Sequence, residues 1–171
     1  RLILGALTLV LVLWMRGFPA ISRKQALQVL GVGLVGYGIS LSLQFLGTKL
    51  STAANGSLVT SATPAFVLIF AAILLKEKIT ALRLIALFLA TSGVVAVIDP
   101  RSAQLNPDLF LGNILLIGAA VTWALYSVLV RKTTQSLDVI PFSLIAFLGG
   151  LPIVMPAGAW ELKTIGVGEV S

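Results

Sequence analysis

Long stretches without charge alternate with short charged ones along this chain. The uncharged runs are residues 2–15, 25–48, 50–75, 84–98, 109–130 and 139–160. Four of them exceed the length of about 20 apolar residues that an α-helix needs to cross the hydrocarbon core of a bilayer. The fourth run reaches it if Arg83 sits near a helix end and snorkels, giving a span of 79–98. The first run is short and starts with the chain. The pattern predicts six helical spans at 2–16, 26–48, 52–75, 79–98, 109–130 and 140–159. The connections between them are short, so successive helices run antiparallel and pack as neighbours. The fold class expected is all-α, a polytopic transmembrane helix bundle.

Composition strengthens this reading. Hydrophobic residues make up 58% of the chain and charged residues 11%, against roughly 25% charged in soluble domains. A soluble fold could not cover itself with so few polar groups. The formal charge of +6 sits in the loops, where it sets topology rather than nucleic-acid binding. Arg16, Arg23, Lys24, Lys76, Lys78, Arg131 and Lys132, with Arg83 close by, fall on one side. Arg1, Lys49, Arg101 and Lys163 fall on the other. The richer side is expected to face the cytoplasm, and the first span then enters from outside. The absence of an initial Met and of a cleavage-site pattern leads us to expect an internal piece of a longer protein, with no signal peptide.

Candidate chemistry is sparse. There is no cysteine and no histidine, hence no thiol chemistry and no histidine acid, base or zinc ligand. No phosphate-binding loop or metal-ligand cluster is visible. We expect no catalytic residue, no cofactor and no metal. The informative polar residues lie inside the spans. Gly33, Tyr37, Ser40, Gln44 and Thr48 share one face of the second span. Lipid does not accept such a stripe cheaply, so it faces other helices or a water-filled cavity. Both remain open, with Tyr37 and Gln44 leaning toward a cavity.

In the third span Ala53, Ser57, Ser61 and Ala65 form a ladder of small residues suited to close helix packing. Thr52, Gly56, Thr60 and Thr63 adjoin it, with Asn55 at the edge. Pro64 predicts a kink or break in mid-span. Broken helices present backbone groups to solutes in carriers, although a neighbouring hydroxyl can equally satisfy an ordinary kink. In the fifth span Trp123 and Tyr126 share a side, either as an interfacial belt or as an aromatic cavity wall. Glu77, between Lys76 and Lys78, reads first as a solvated loop charge. The last span carries Pro141, Gly149, Gly150, Pro152 and Pro156 and is expected to be bent or mobile, with Trp160 as an interface anchor.

Several segments in order resemble the EamA-type repeat of the drug/metabolite transporter superfamily. They are Ala53-Ala54 through Thr63-Pro64-Ala65-Phe66, then Leu74-Leu75-Lys76-Glu77-Lys78-Ile79-Thr80, Arg83, and Ser92-Gly93-Val94-Val95. A second opening helix is similar from Leu111-Gly112-Asn113 through Ala119-Ala120-Val121-Thr122-Trp123-Ala124 to Arg131-Lys132. The resemblance implies a ten-helix inverted-repeat secondary transporter, of which this chain would hold helices two to seven. Residues 1–98 would be helices two to five of the first repeat, and 109–171 the start of the second. It implies a carrier exporting small metabolites, amino acids or drugs by alternating access through a central cavity. The competing readings are a non-transporting scaffold or assembly subunit and, behind it, a membrane-embedded enzyme. Candidate solute-binding residues are Tyr37, Ser40, Gln44, Asn55, Thr60, Thr63, Pro64, Trp123 and Tyr126. The partners expected are the lipid bilayer and a small-molecule solute, not nucleic acid, with a homodimer left open. The site expected is the cell (plasma or inner) membrane.

Overall fold

The computed structural model describes residues 2–17, 19–97 and 109–165. Among the described residues the regular elements are all helices: α1 Leu2–Arg16, α2 Arg23–Lys49, α3 Ala53–Thr60, α4 Thr63–Leu74, α5 Ala81–Val97, α6 Phe110–Thr133 and α7 Val139–Ile165. Four spans are long and apolar enough to cross a membrane: Arg23–Lys49, the pair α3–α4 taken together as Ala53–Leu74, Phe110–Thr133, and Val139–Ala159. The two remaining expected spans appear as the shorter helices α1, of 15 residues, and α5, of 17. On α5, Leu82, Ile85, Phe88 and Leu89 are exposed. On α1, Leu4, Leu7, Leu11 and Trp14 are exposed as well. Apolar stripes of this size belong against lipid rather than water.

Local sequence explains the helix ends. Ser22 opens α2 with a capping box: its hydroxyl accepts from the Gln25 N–H (3.3 Å), and Gln25 Oε1 accepts from the Ser22 N–H (3.1 Å). Thr52 caps α3, its Oγ1 accepting from the Asn55 N–H at 3.1 Å. The chain then breaks at Ser61 and Ala62, and Pro64 sits in the first turn of α4. The interruption expected at Pro64 therefore falls just ahead of it. Proline is tolerated in a first turn but disfavours helix in the residues that precede it. Having no N–H, Pro64 also leaves the Thr60 carbonyl without its i+4 hydrogen bond.

One departure in α2 was not expected. Leu34–Ser40 forms a π-helical segment, whose wider turn holds extra chain length. One extra residue rotates the downstream turns by about 100° relative to a regular helix. The face predicted to run from Gly33 to Thr48 is thereby divided.

The helices gather into two compact units, residues 1–42 with 133–171 and residues 43–132. In the first, α7 lies close against the 23–42 stretch of α2. A Cβ on Gly149 would strike the Leu30 backbone, one on Gly33 the Ala146 backbone, and one on Gly150 would meet Tyr37 Cβ at 2.5 Å. Val29, Phe142 and Ala146 fill the buried centre of this contact. The helix α7 carries Pro152 and Pro156 without being divided. Trp160 has its side chain outside the described residues.

In the second unit, α6 packs against the end of α2. A Cβ on Gly112 would lie 2.5 Å from the Leu50 carbonyl, and Leu116 fills the space beside Gly47. Leu116, Ala119, Ala120 and Ala124 are buried along α6.

Candidate functional site

The second unit holds an open groove of about 560 Å³ between the end of α2 and the broken pair α3–α4. Its lining is Gln44, Thr48, Ala53, Gly56, Ser57, Thr60 and Ser61. Gln44 and Thr48 come from the last two turns of α2. The others come from α3 and the break at its end. Two sequence features that looked separate thus meet here: the polar end of the α2 stripe, and the small-residue ladder Ala53, Ser57 and Ser61. The ladder faces open space in this chain rather than a close-packed helix.

The hydroxyls of the groove share one hydrogen-bonding state. Thr48 Oγ1 donates to the Gln44 carbonyl at 2.8 Å, and Ser57 Oγ to the Ala53 carbonyl at 2.9 Å. Thr60 Oγ1 donates to the Gly56 carbonyl and Ser61 Oγ to the Leu58 carbonyl, both at 2.6 Å. Each proton is directed back into the residue's own helix, the common way for a hydroxyl to sit in an apolar span.

Of the nine expected site residues, the structure brings Gln44 and Thr60 together in this groove. Asn55 does not line it. It is 3% exposed, and its Nδ2 donates to Ser51 Oγ at 3.0 Å and to Asn113 Oδ1 at 2.9 Å. Ser51 Oγ donates to the same Asn113 oxygen at 2.6 Å. This knot ties the start of α3 to α6. Thr63 and Pro64 lie past the break, at the start of α4, and Thr63 Oγ1 is buried with no hydrogen-bond partner among the described residues.

Trp123 and Tyr126 stack on α6 with ring centroids 5.0 Å apart and a 39° tilt. Tyr126 is 8% exposed, so it is held inside the protein rather than turned to an interface. Tyr37 and Ser40 belong to the first unit. The Tyr37 ring meets Phe147 edge-on, with centroids 4.6 Å apart, and Ser40 is buried. Ser57 and Ser61 line the groove without having been expected there, and Thr48 lines it as a member of the α2 stripe for which a cavity was left open. The interval of four between Ser57 and Ser61 was the available signal, but that spacing also describes a packing face.

Glu77 is not a solvated loop charge. Lys76 takes a left-handed conformation with φ 53°, rare for a residue with a Cβ. It closes α4, with the Glu77 N–H reaching the Ala71 carbonyl at 3.4 Å. The turn aims the Glu77 carboxylate at two guanidiniums. Arg83 Nη1 donates to Oε2 at 2.7 Å, and Arg131 Nη2 lies 2.8 Å from Oε1. One carboxylate thus links the end of α4, the start of α5 and the end of α6.

Known proteins are similar over most of the chain. The model of the EamA-like transporter family matches residues 1–98. The uncharacterized transporter YetK of Bacillus subtilis (strain 168) is 26% identical over 168 residues, covering 96% of this chain and 51% of its own. An uncharacterized transporter of Archaeoglobus fulgidus is 27% identical over 156 residues, 91% of this chain and 53% of its own. The uncharacterized transporter YyaM of Bacillus subtilis is 32% identical over 112 residues, covering 64% of this chain and 37% of its own. The chain thus spans about half the length of YetK and of the Archaeoglobus relative. A crystal structure superposes on 90% of the chain and 55% of its own with a TM-score of 0.71 at 22% identity, which shows a shared fold. With its apolar spans, this is a multi-pass protein of the cell membrane, and it belongs to the EamA-like transporter family.

Proposed function

We propose that this chain forms part of a secondary carrier that moves a small organic solute across the cell membrane by alternating access, with the groove at Gln44 and Thr60 on the solute path. The observation that carries the reading is the groove itself. Hydroxyls and a carboxamide line an opening in spans that are otherwise apolar, beside a helix interrupted in mid-membrane. The hydroxyls are already bonded within their own helices, but the Gln44 carboxamide in such a position faces water or solute because lipid would leave it unpaired. The interrupted helix is the kind of element carriers build binding sites from. The family membership supports carriage in general, and export of metabolites, amino acids or drugs is the direction to test first. No enzymatic role is proposed: among the described residues the groove offers no nucleophile activated by a neighbouring base.

The test uses the full-length protein reconstituted in vesicles, assayed for solute flux. The double variant Gln44→Leu with Thr60→Val keeps helix propensity and volume while removing polar groups. Flux should fall at least tenfold with the protein still folded and inserted. Undiminished flux in the variant would remove the groove from the path. A full-length protein that moves no solute, yet copurifies in fixed proportion with a membrane complex, would favour a scaffold.

A further inference from the structure

We infer that the groove accepts solutes that donate hydrogen bonds and carry no negative charge, such as polyols and primary amines, and rejects anions. This deepens the carrier proposal and rests on it. A hydroxyl has one proton and two lone pairs. A carbonyl oxygen can only accept, so each hydroxyl lying 2.6–2.9 Å from one has committed its proton. Thr48, Ser57, Thr60 and Ser61 therefore offer the groove lone pairs and no proton. Among the described residues the lining contains no lysine or arginine. Among the described lining residues the only side-chain N–H groups are those of Gln44, whose carboxamide also supplies an acceptor oxygen.

Two electropositive features border the lining without carrying a side chain into it: Lys49, which follows Thr48, and the N-terminus of α3 at Ala53, where Thr52 Oγ1 already takes the Asn55 N–H. A carboxylate or phosphate entering here would lose its water and meet oxygen lone pairs. An ammonium or a polyol would exchange water for acceptors already in place. No carboxylate is among the described lining residues either, so cationic charge alone does not satisfy it. The solute must bring N–H or O–H groups, which a tetraalkylammonium lacks.

The experiment pairs carbon skeletons that differ in head group. Purified full-length protein is challenged with 1,4-diaminobutane against succinate, ethanolamine against glycolate, and sorbitol against sorbitol 6-phosphate, with tetramethylammonium as a cation without donors. Thermal stabilisation in detergent and flux in vesicles are both read. The first member of each pair should compete or pass, while the anions and tetramethylammonium should not. Thr48→Val and Thr60→Val should each weaken the donor-bearing probes by about fivefold. Gln44→Lys should shift the preference toward the anions. Preference for the anions in the native protein, or donor binding indifferent to both threonine variants, overturns the inference while leaving a carrier. If another solute proves to be the one moved, an anion counts against the inference and a donor-bearing neutral or ammonium solute for it. Flux of no solute in a wider screen sinks the carrier reading and this inference with it.

Discussion

Asn55 and Thr63 show how neighbouring polar residues in one span can carry opposite consequences. Asn55 is buried and joined to Ser51 and Asn113. Its expected role is to fix α3 against α6, so Asn55→Ala should lower stability. A double-mutant cycle with Asn113→Ala should give a coupling of about 0.5–2 kcal/mol, the range for side-chain hydrogen bonds between membrane helices. Additive losses in that cycle would show that the two amides do not act together. Thr63 Oγ1 is buried with no partner among the described residues. A buried hydroxyl left unsatisfied costs about 1–3 kcal/mol, so Thr63→Val, which keeps the shape, should be neutral or raise the melting temperature. A marked loss of stability would mean that the hydroxyl has a partner after all. Thr60, three residues earlier, faces the groove, and its valine variant should spare folding and weaken solute binding instead.

Helix contacts are decided by where backbones come closest. In the first unit Gly149 faces the Leu30 backbone with no room for a methyl group. Gly149→Ala should therefore cost about 1–3 kcal/mol through overpacking, read as a lower melting temperature in detergent. The sign is informative. At an open helical position the same change would stabilise by up to about 1 kcal/mol, because alanine is the better helix former. The sequence placed a proline-driven interruption in the third span and a bend in the last. The first is present, just ahead of Pro64 rather than at it. In the last span one helix runs through both prolines. The π-segment at Leu34–Ser40 left no trace in the hydrophobic pattern, because the spacing of Gly33, Tyr37, Ser40 and Gln44 fits one face of a regular α-helix equally well.

For the molecule in its membrane, the bias of basic residues predicts orientation. The corner with Lys76, Glu77 and Lys78 should face the cytoplasm and the Lys49 end the outside. This chain contains no cysteine, so single cysteines can report it in a cysteine-free background of the full-length protein. A membrane-impermeant maleimide added to intact cells should label Lys49→Cys and spare Lys78→Cys until the membrane is opened. The reverse pattern would invert the topology. On this orientation the Glu77 bridge to Arg83 and Arg131 lies at the cytoplasmic ends of α4, α5 and α6. Its guanidiniums are half-exposed, so solvent and salt screen it, and such pairs contribute at most about 1 kcal/mol.

The amino-acid sequence alone determined that these helices live in a membrane, where each lies along the chain, and to which family their order points. Those properties come from local facts: run length, missing charge, and turn residues between the runs. It also narrowed the polar candidates to a few positions on α2, α3, α4 and α6. Only the tertiary structure decided which of them meet. Gln44 and Thr60 converge on one groove, Asn55 turns into a structural knot, Tyr37 packs against Phe147, and Glu77 finds Arg131 from far along the chain beside the nearby Arg83. The physical reason is that a polar side chain in an apolar helix must find a partner or a cavity. The spacing of residues announces that need, but the partner comes from another helix.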